Sequence, residues 1–429
     1  MNVSELLKYD KIKPKDVKTS KSTFKDEKIN TKEFKKFNSL VLIFSLLGTI
    51  LIGSGLITIS SINLDRFSKM LQLIIAFIPL IIAYVLCAYT LFIKNDSIIW
   101  RESVGVFIFF AFGYLISLIS NLYHLSYDFS NISILCAIAS LPFVYILKSS
   151  TASLIYLFIV SFPFDYSNLF ILSSFRDEII YSVLLLAILP NYYLLCKKRT
   201  NDVFLKIHHW VIPFTLVSFA ILMSSNNSFM FIFLNLSLYS IFTYIGDSSY
   251  FKSNKIFNNS YKIIGCINTL SVVFMFTCKD SVEKLNIYDS KFSELISRSD
   301  FYYTILFFSI FIFLFIREFI KKKIQDINLL HYLSLAVICL TLIELSSNIF
   351  IVCTNILILA YSLIKIRDGF IKNNITRMNF GLICILILIL VCLLDYDIDP
   401  IIKGITFLSF GLITLVTNYF IIKKIRYNE

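Results

Sequence analysis

The sequence predicts an all-α, polytopic integral membrane protein: a helical bundle of about 14 transmembrane helices with both termini cytoplasmic. Three observations predict it. Hydrophobic residues make up 57% of the 429-residue chain and charged residues 16%, against roughly 25% charged in an ordinary soluble domain. Mean hydropathy is +0.77. The apolar residues come in runs of about 20, the length that crosses roughly 30 Å of hydrocarbon at about 1.5 Å per residue. The basic residues then fall unequally on the two sides that these runs define.

Residues 1–37 open the chain as a basic, lysine-dense cytoplasmic tail without the layout of a secretory signal peptide. Residues 38–421 form the bundle, and residues 422–429 a short basic cytoplasmic tail. The expected spans are 38–62, 70–93, 103–120, 131–147, 150–171, 178–195, 207–224, 228–245, 261–279, 301–319, 327–344, 347–365, 378–395 and 400–421. Pro163 and Asp165 interrupt the fifth. The eleventh and twelfth form one apolar tract, twice the length of a crossing, and "ELSSN" (Glu344 to Asn348) folds it into a hairpin. Between the ninth and tenth, residues 280–300 read as an amphipathic surface helix.

With the N-terminus in the cytoplasm and alternating spans, only Arg66, Lys69, Arg176, Lys279, Lys284, Lys291, Arg298 and Lys403 of the 40 basic residues face outward. The other 32 face the cytoplasm, 11 of them in the tail. This is the positive-inside bias. A net charge of +12 would suggest a nucleic-acid partner in a soluble chain. Here it reads as topology, so the expected partner is the lipid bilayer and no nucleic acid.

The nine cysteines lie in or at the ends of apolar runs without a CxxC pair, and read as small hydrophobes. No metal site or cofactor is expected. His208-His209-Trp210 and His331 fall at cytoplasmic span ends, where such side chains usually anchor at the interface. No phosphate-binding glycine loop, HExxH or GxSxG motif occurs, so no catalytic residue is assigned.

Two polar groups remain as candidate sites. In mid-membrane, Asn235, Asn268 and Asn355 (with Thr354 beside the last) suit hydrogen bonds between helices or contacts to a substrate. On the outer face, "INLDRFSK" and "LYHLSYDF" offer Asn63, Asp65, Arg66, Lys69, Tyr123, His124 and Asp128. An acid and a histidine there would suit proton exchange. Equally, Asn63 or Asp65 would cap a helix, Arg66 would pair with Asp128, and Tyr123 would anchor at the interface. The structural reading is favoured. "GTILIGSG" in the first span places Gly48, Gly53 and Gly55 on a helix, as a packing face.

The order of "GTILIGSGLI", "NLDRFSK", "RES" with Glu102, "LYHLSYDF" and "SLPFVYILKS" resembles a bacterial family of predicted membrane proteins, domain of unknown function 2157. The N-terminal "LLKYDKIKPKDV" is similar to a worn form of that family's leading segment. The likeness is strongest over 40–160 and weaker through "RDG", "RMNFGL" and the last span. Leu64 stands where the family's first loop has tryptophan, and Ser120-Asn121 where a glutamine often precedes the Tyr-His pair. The resemblance implies a topology class and no mechanism.

Three functions follow from these readings. A non-enzymatic, structural or envelope-associated protein of the bacterial cytoplasmic membrane is favoured. A transporter or translocase of a small or lipid-linked substrate is the first alternative. A membrane-embedded transferase acting on a lipid-linked sugar is the second.

Overall fold

The computed structural model describes residues 40–59, 67–125, 129–161, 175–198, 203–224, 228–252, 259–285, 299–324, 327–343, 345–395 and most of 401–411. Among these residues every regular element is helical. Contacts divide the chain into two compact units, Met1–Pro163 and Phe164–Glu429.

The first unit holds α1 (Leu40–Ile59), α2 (Lys69–Phe92), α3 (Ile98–Leu122), α4 (Phe129–Leu147) and α5 (Ser150–Ser161). Its centre is α3, which packs against α2, α4 and α5. That helix is apolar nearly all round, as a helix buried on every side must be. Val104, Ile108, Phe109, Ala111, Leu115 and Leu118 are buried. Tyr84 of α2 stacks on Phe143 of α4 at 5.7 Å, and Phe112 of α3 meets both rings. Of the three glycines in α1, Gly53 alone packs closely: a Cβ there would run into the Phe110 ring. Gly48 and Gly55 have nothing within 4 Å, so the expected packing face reduces to one position.

The second unit holds α6 (Phe175–Ala187), α7 (Leu189–Lys198), α8 (Val203–Ser224), α9 (Ser228–Gly246), α10 (Ser249–Lys252) and α11 (Ser260–Met275). It continues with α12 (Lys279–Leu285), α13 (Ser299–Lys321), α14 (Leu329–Leu342), α15 (Ser347–Ile371) and α16 (Ile375–Asp395). Here α9 is the hub, touching α8, α11, α13 and α14. Its crossing with α11 is close, because Gly265 lets the α11 backbone approach the Tyr239 carbonyl. Helices α15 and α16 make a close pair. Asn373, at φ 48°, turns the chain between them. The Asn374 N–H donates to Gly369 O and the Asn373 N–H to Phe370 O, the double closure of a left-handed helix stop.

Among the described residues nine helices are long and apolar enough to cross a membrane. Large apolar side chains on their outer faces, such as Phe313, Ile316 and Ile320 of α13, are exposed, which suits a lipid solvent. The expected count of about 14 is therefore not established. Segments 132–147, 150–161, 260–275 and 329–342 are helical but shorter; 16 residues reach only about 24 Å. The break between Leu342 and Ser347 lies where the hairpin was expected. The tail 1–37, Pro163, Asp165, most of 280–300 and the end of the last span lie outside the described residues.

Candidate functional site

In the first unit the polar chemistry gathers at the start of α5. A helix begins with four backbone N–H groups that lack intrahelical partners, and where the helix start is buried no water supplies them. Lys148, at φ 52°, ends α4 in a left-handed turn and delivers Ser149 as the N-cap. Its Oγ accepts from the Ala152 N–H at 3.1 Å. The next two N–H groups turn to Glu102 of α3. The Ser150 N–H donates to Oε1 at 3.1 Å and the Thr151 N–H to Oε2 at 2.7 Å. The hydroxyls of Ser149 and Thr151 lie 2.6 and 2.7 Å from Oε2. Glu102 is 1% exposed. A partner set made wholly of donors, at the positive end of a helix, suits an anion. Gly105, one turn further along α3, makes the approach possible: a Cβ there would sit 2.7 Å from Ser149 Oγ.

Two of the sequence stretches singled out above thus meet in space. "RES" supplies the carboxylate, and "SLPFVYILKS" delivers the cap at its last residue. Two carboxylates are buried near helix starts. Glu102 is buried in α3, and Asp300, at the start of α13, is 2% exposed.

The outer-face candidates are only partly described. Asn63, Asp65, Arg66 and Asp128 lie outside the described residues. Helix α2 takes its cap from Ser68, whose Oγ accepts from the Leu71 N–H. Lys69, Tyr123 and His124 are exposed, and among the described residues no hydrogen bond or ion pair joins Lys69 to the other two. The role of "LYHLSYDF" in the fold is clear in its first half. His124, at φ 49°, occupies the left-handed position that ends α3. The Leu125 N–H reaches back to Ser120 O at 2.9 Å and the His124 N–H to Asn121 O at 3.3 Å. Ser120 Oγ donates to Leu125 O. Histidine is one of the few side chains found often at such a φ. Glycine fits better, so His124→Gly is expected to hold or raise the thermal midpoint, whereas His124→Val lowers it by about 1–2 kcal/mol equivalent. A melting series in detergent checks this.

Residues 12–153 match the family model described as Predicted membrane protein (DUF2157). Over this stretch, about a third of the chain, the sequence is similar to the DUF2157 family. The DUF2157 segment ends at α5's first turn, so it contains both halves of the Glu102 clamp and the His124 helix stop. No curated protein and no solved structure matches the chain.

The three asparagines expected in mid-membrane lie in the second unit, outside the matched segment, and do different things. Asn235 Nδ2 donates to Ser224 Oγ of α8 and to Phe231 O, and Tyr239 donates to Asn235 Oδ1 at 2.7 Å. It ties α8 to α9. Asn268 Nδ2 turns back to Ile264 O of its own helix. Asn355 Oδ1 is buried without a partner. Thr354 Oγ1 reaches the Phe276 carbonyl at the end of α11.

Three histidines expected at the headgroup level are instead inside. His208, His209 and His331 are buried, while Trp210 is 39% exposed. Position along a helix sets depth, but the helix face sets burial, and these three face neighbours. His208 Nδ1 lies 2.7 Å from Phe204 O. His209 Nδ1 is 2.6 Å from the Tyr192 hydroxyl of α7, which also meets the Tyr261 hydroxyl of α11 at 3.1 Å. The rings of Tyr192, Tyr250, Phe251 and Tyr261 surround the imidazole edge-on. Nothing in the spacing of Tyr192, Tyr250 and Tyr261 reveals this cluster in sequence.

Near the same helix ends, Asp247 holds two helix starts. Oδ1 pairs with Lys262 of α11 at 2.5 Å, and Oδ2 accepts from Asn328, the N-cap of α14. Asn259 caps α11 and donates to Gly246 O. Asp395 likewise accepts from the Lys279 N–H at the start of α12. Carboxylates at helix N-termini are therefore a repeated device in this chain.

Proposed function

We propose that the chain is a non-enzymatic, structural or envelope-associated protein of the bacterial cytoplasmic membrane, with about 14 spans and both termini in the cytoplasm. The observation that carries this reading is the Glu102 clamp. In the DUF2157 segment the buried carboxylate has its oxygens committed to four donors of the chain itself. A group so engaged organises a helix start and is not free to activate a substrate. His124, held as a helix stop, supports the same reading. The basic-residue asymmetry supports the topology.

A deletion strain complemented with Lys69→Ala/His124→Gly/Asp128→Ala tests the role. Full rescue at normal abundance is expected. Lost rescue at normal abundance would make that outer face a working site. A reporter fused after Glu429 tests the topology: activity restricted to the cytoplasmic side is expected.

A second reading, passage of a small polar solute, draws on the second unit. Thr269 Oγ1 of α11 and Asn355 Oδ1 and the Tyr361 hydroxyl of α15 are buried without partners. Uptake by proteoliposomes that is lost on Asn355→Leu would favour it.

A further inference from the structure

Helices α15 and α16 form a hairpin, and its turn carries an uneven charge. Residues 365–377 hold Lys365, Arg367, Lys372 and Arg377 against the single acid Asp368, four positive charges to one negative. Three other cations near helix ends of this unit have carboxylates: Lys262 pairs with Asp247, Lys279 with Glu283 and Lys322 with Glu318. Among the described residues no carboxylate pairs with any of the four cations at the hairpin turn. Lys365 instead holds its ammonium 5.4 Å from the centre of the Tyr361 ring. Arg367, Lys372 and Arg377 are exposed.

A fixed frame displays them. A Cβ on Gly369 would meet the Met378 nitrogen at 2.7 Å, and one on Gly381 the Ser362 carbonyl oxygen at 2.7 Å. The two backbones therefore lie close at two levels, and the left-handed Asn373 closes the turn.

Each helix gives the depth of this turn independently. From Ser347 to Ile364 α15 carries no charge, and Lys365 comes about 27 Å along the axis from Ser347. Between Arg377 and Asp395 α16 carries none, and those two residues are again about 27 Å apart. Both lengths fit about 30 Å of hydrocarbon, so Lys365 and Arg377 mark its edge. The end of α15, about 9 Å beyond Lys365, then runs through the headgroup layer. Phe370, Ile371 and Ile375 are exposed here beside the cations, a mixture that suits the membrane interface and not open water.

The charge balance selects among headgroups. A zwitterionic headgroup brings its own cation to each phosphate, whereas an anionic one leaves the phosphate uncompensated. Basic residues at the surface favour the anionic kind, and the arginine fork matches a phosphate. We infer that the α15–α16 turn is a docking surface for anionic phospholipid headgroups, whose phosphates Arg367, Lys372 and Arg377 neutralise. The surface needs only a chain seated in a bilayer, so it stands independently of the functions proposed above.

The test uses the full chain in phosphatidylcholine vesicles doped with phosphatidylglycerol that carries a photoreactive group at its headgroup. A matched phosphatidylcholine probe is the reference, and mass spectrometry reads the labelling of residues 366–378. An excess of at least about threefold from the anionic probe is expected. It falls to about one in Arg367→Gln/Lys372→Gln/Arg377→Gln. Equal labelling of the native chain, or an excess undiminished in the triple variant, overturns the inference. If the triple variant does not fold, Asp368→Asn decides: a higher excess is expected, and an unchanged or lower one overturns it. Inorganic phosphate added at constant ionic strength is expected to leave the excess unchanged. Loss of the excess there would assign the cations to a soluble anion and overturn the lipid as partner.

Discussion

Replacing Glu102 with alanine is expected to destabilise the first unit by on the order of 3 kcal/mol, enough to deplete the protein from the membrane. The size follows from what is left behind. The N–H groups of Ser150 and Thr151 lose their acceptor in a place water does not reach, and each buried orphan costs about 1–3 kcal/mol. The cap contributes about 1 kcal/mol more. Local repacking offsets part of the sum. Glu102→Gln is expected to fall between alanine and the native residue. Its amide keeps one acceptor oxygen, but its NH2 group then opposes a donor at the other position. Abundance by immunoblot and the melting midpoint check the order Glu, Gln, Ala.

Gly265→Ala carries the second large effect, and its sign opposes propensity. Alanine is favoured over glycine in a helix by about 1 kcal/mol. At Gly265, however, a Cβ would lie 2.7 Å from the Tyr239 carbonyl oxygen and 3.0 Å from the Thr243 nitrogen. Both are backbone atoms of α9 and cannot rotate away, so the two helices must separate. Overpacking of this kind costs about 1–3 kcal/mol, and separation also loosens contacts around Phe242 and Val273. A fall in the melting midpoint is expected. Gly48→Ala supplies the control: with nothing within 4 Å, that substitution is expected to be neutral or stabilising.

The two glycines show what a sequence discloses here. Gly48, Gly53, Gly55 and Gly265 look alike in a string, since each is a small residue in an apolar run. Whether a glycine permits a close approach depends on the neighbouring helix, and no periodicity encodes that. The class of fold was legible because bilayer thickness acts on each run separately. The number of crossings was less so. Segments such as 260–275 are apolar enough but short, and hydropathy does not tell a short crossing from a buried helix.

The candidate sites divide along the same line. "LYHLSYDF" stands out in the sequence as a polar loop, yet what it does in α3 rests on the φ of His124, which no residue pattern reports. Glu102 stood in view within "RES" without its meaning. That meaning needed "KSST", 46 residues later, to bring four donors to one carboxylate. A cue was present: a Ser-Ser-Thr run opening an apolar helix asks where its N–H groups go. The histidines misled for another reason. Their distance along a span suggested the interface, while their helix faces placed them among Tyr192, Tyr244 and Tyr261.

The claim on which the rest depends is that Glu102 exists to hold the start of α5. Amide hydrogen exchange over residues 148–154 measures this directly in the native chain and in Glu102→Ala. Slow exchange in the native protein and at least a tenfold acceleration at Ser150 and Thr151 in the variant are expected, tenfold corresponding to about 1.4 kcal/mol. Native-like protection in the variant would contradict it. Joined to a loss of complementation, that result would move Glu102 from the frame of the protein to its chemistry.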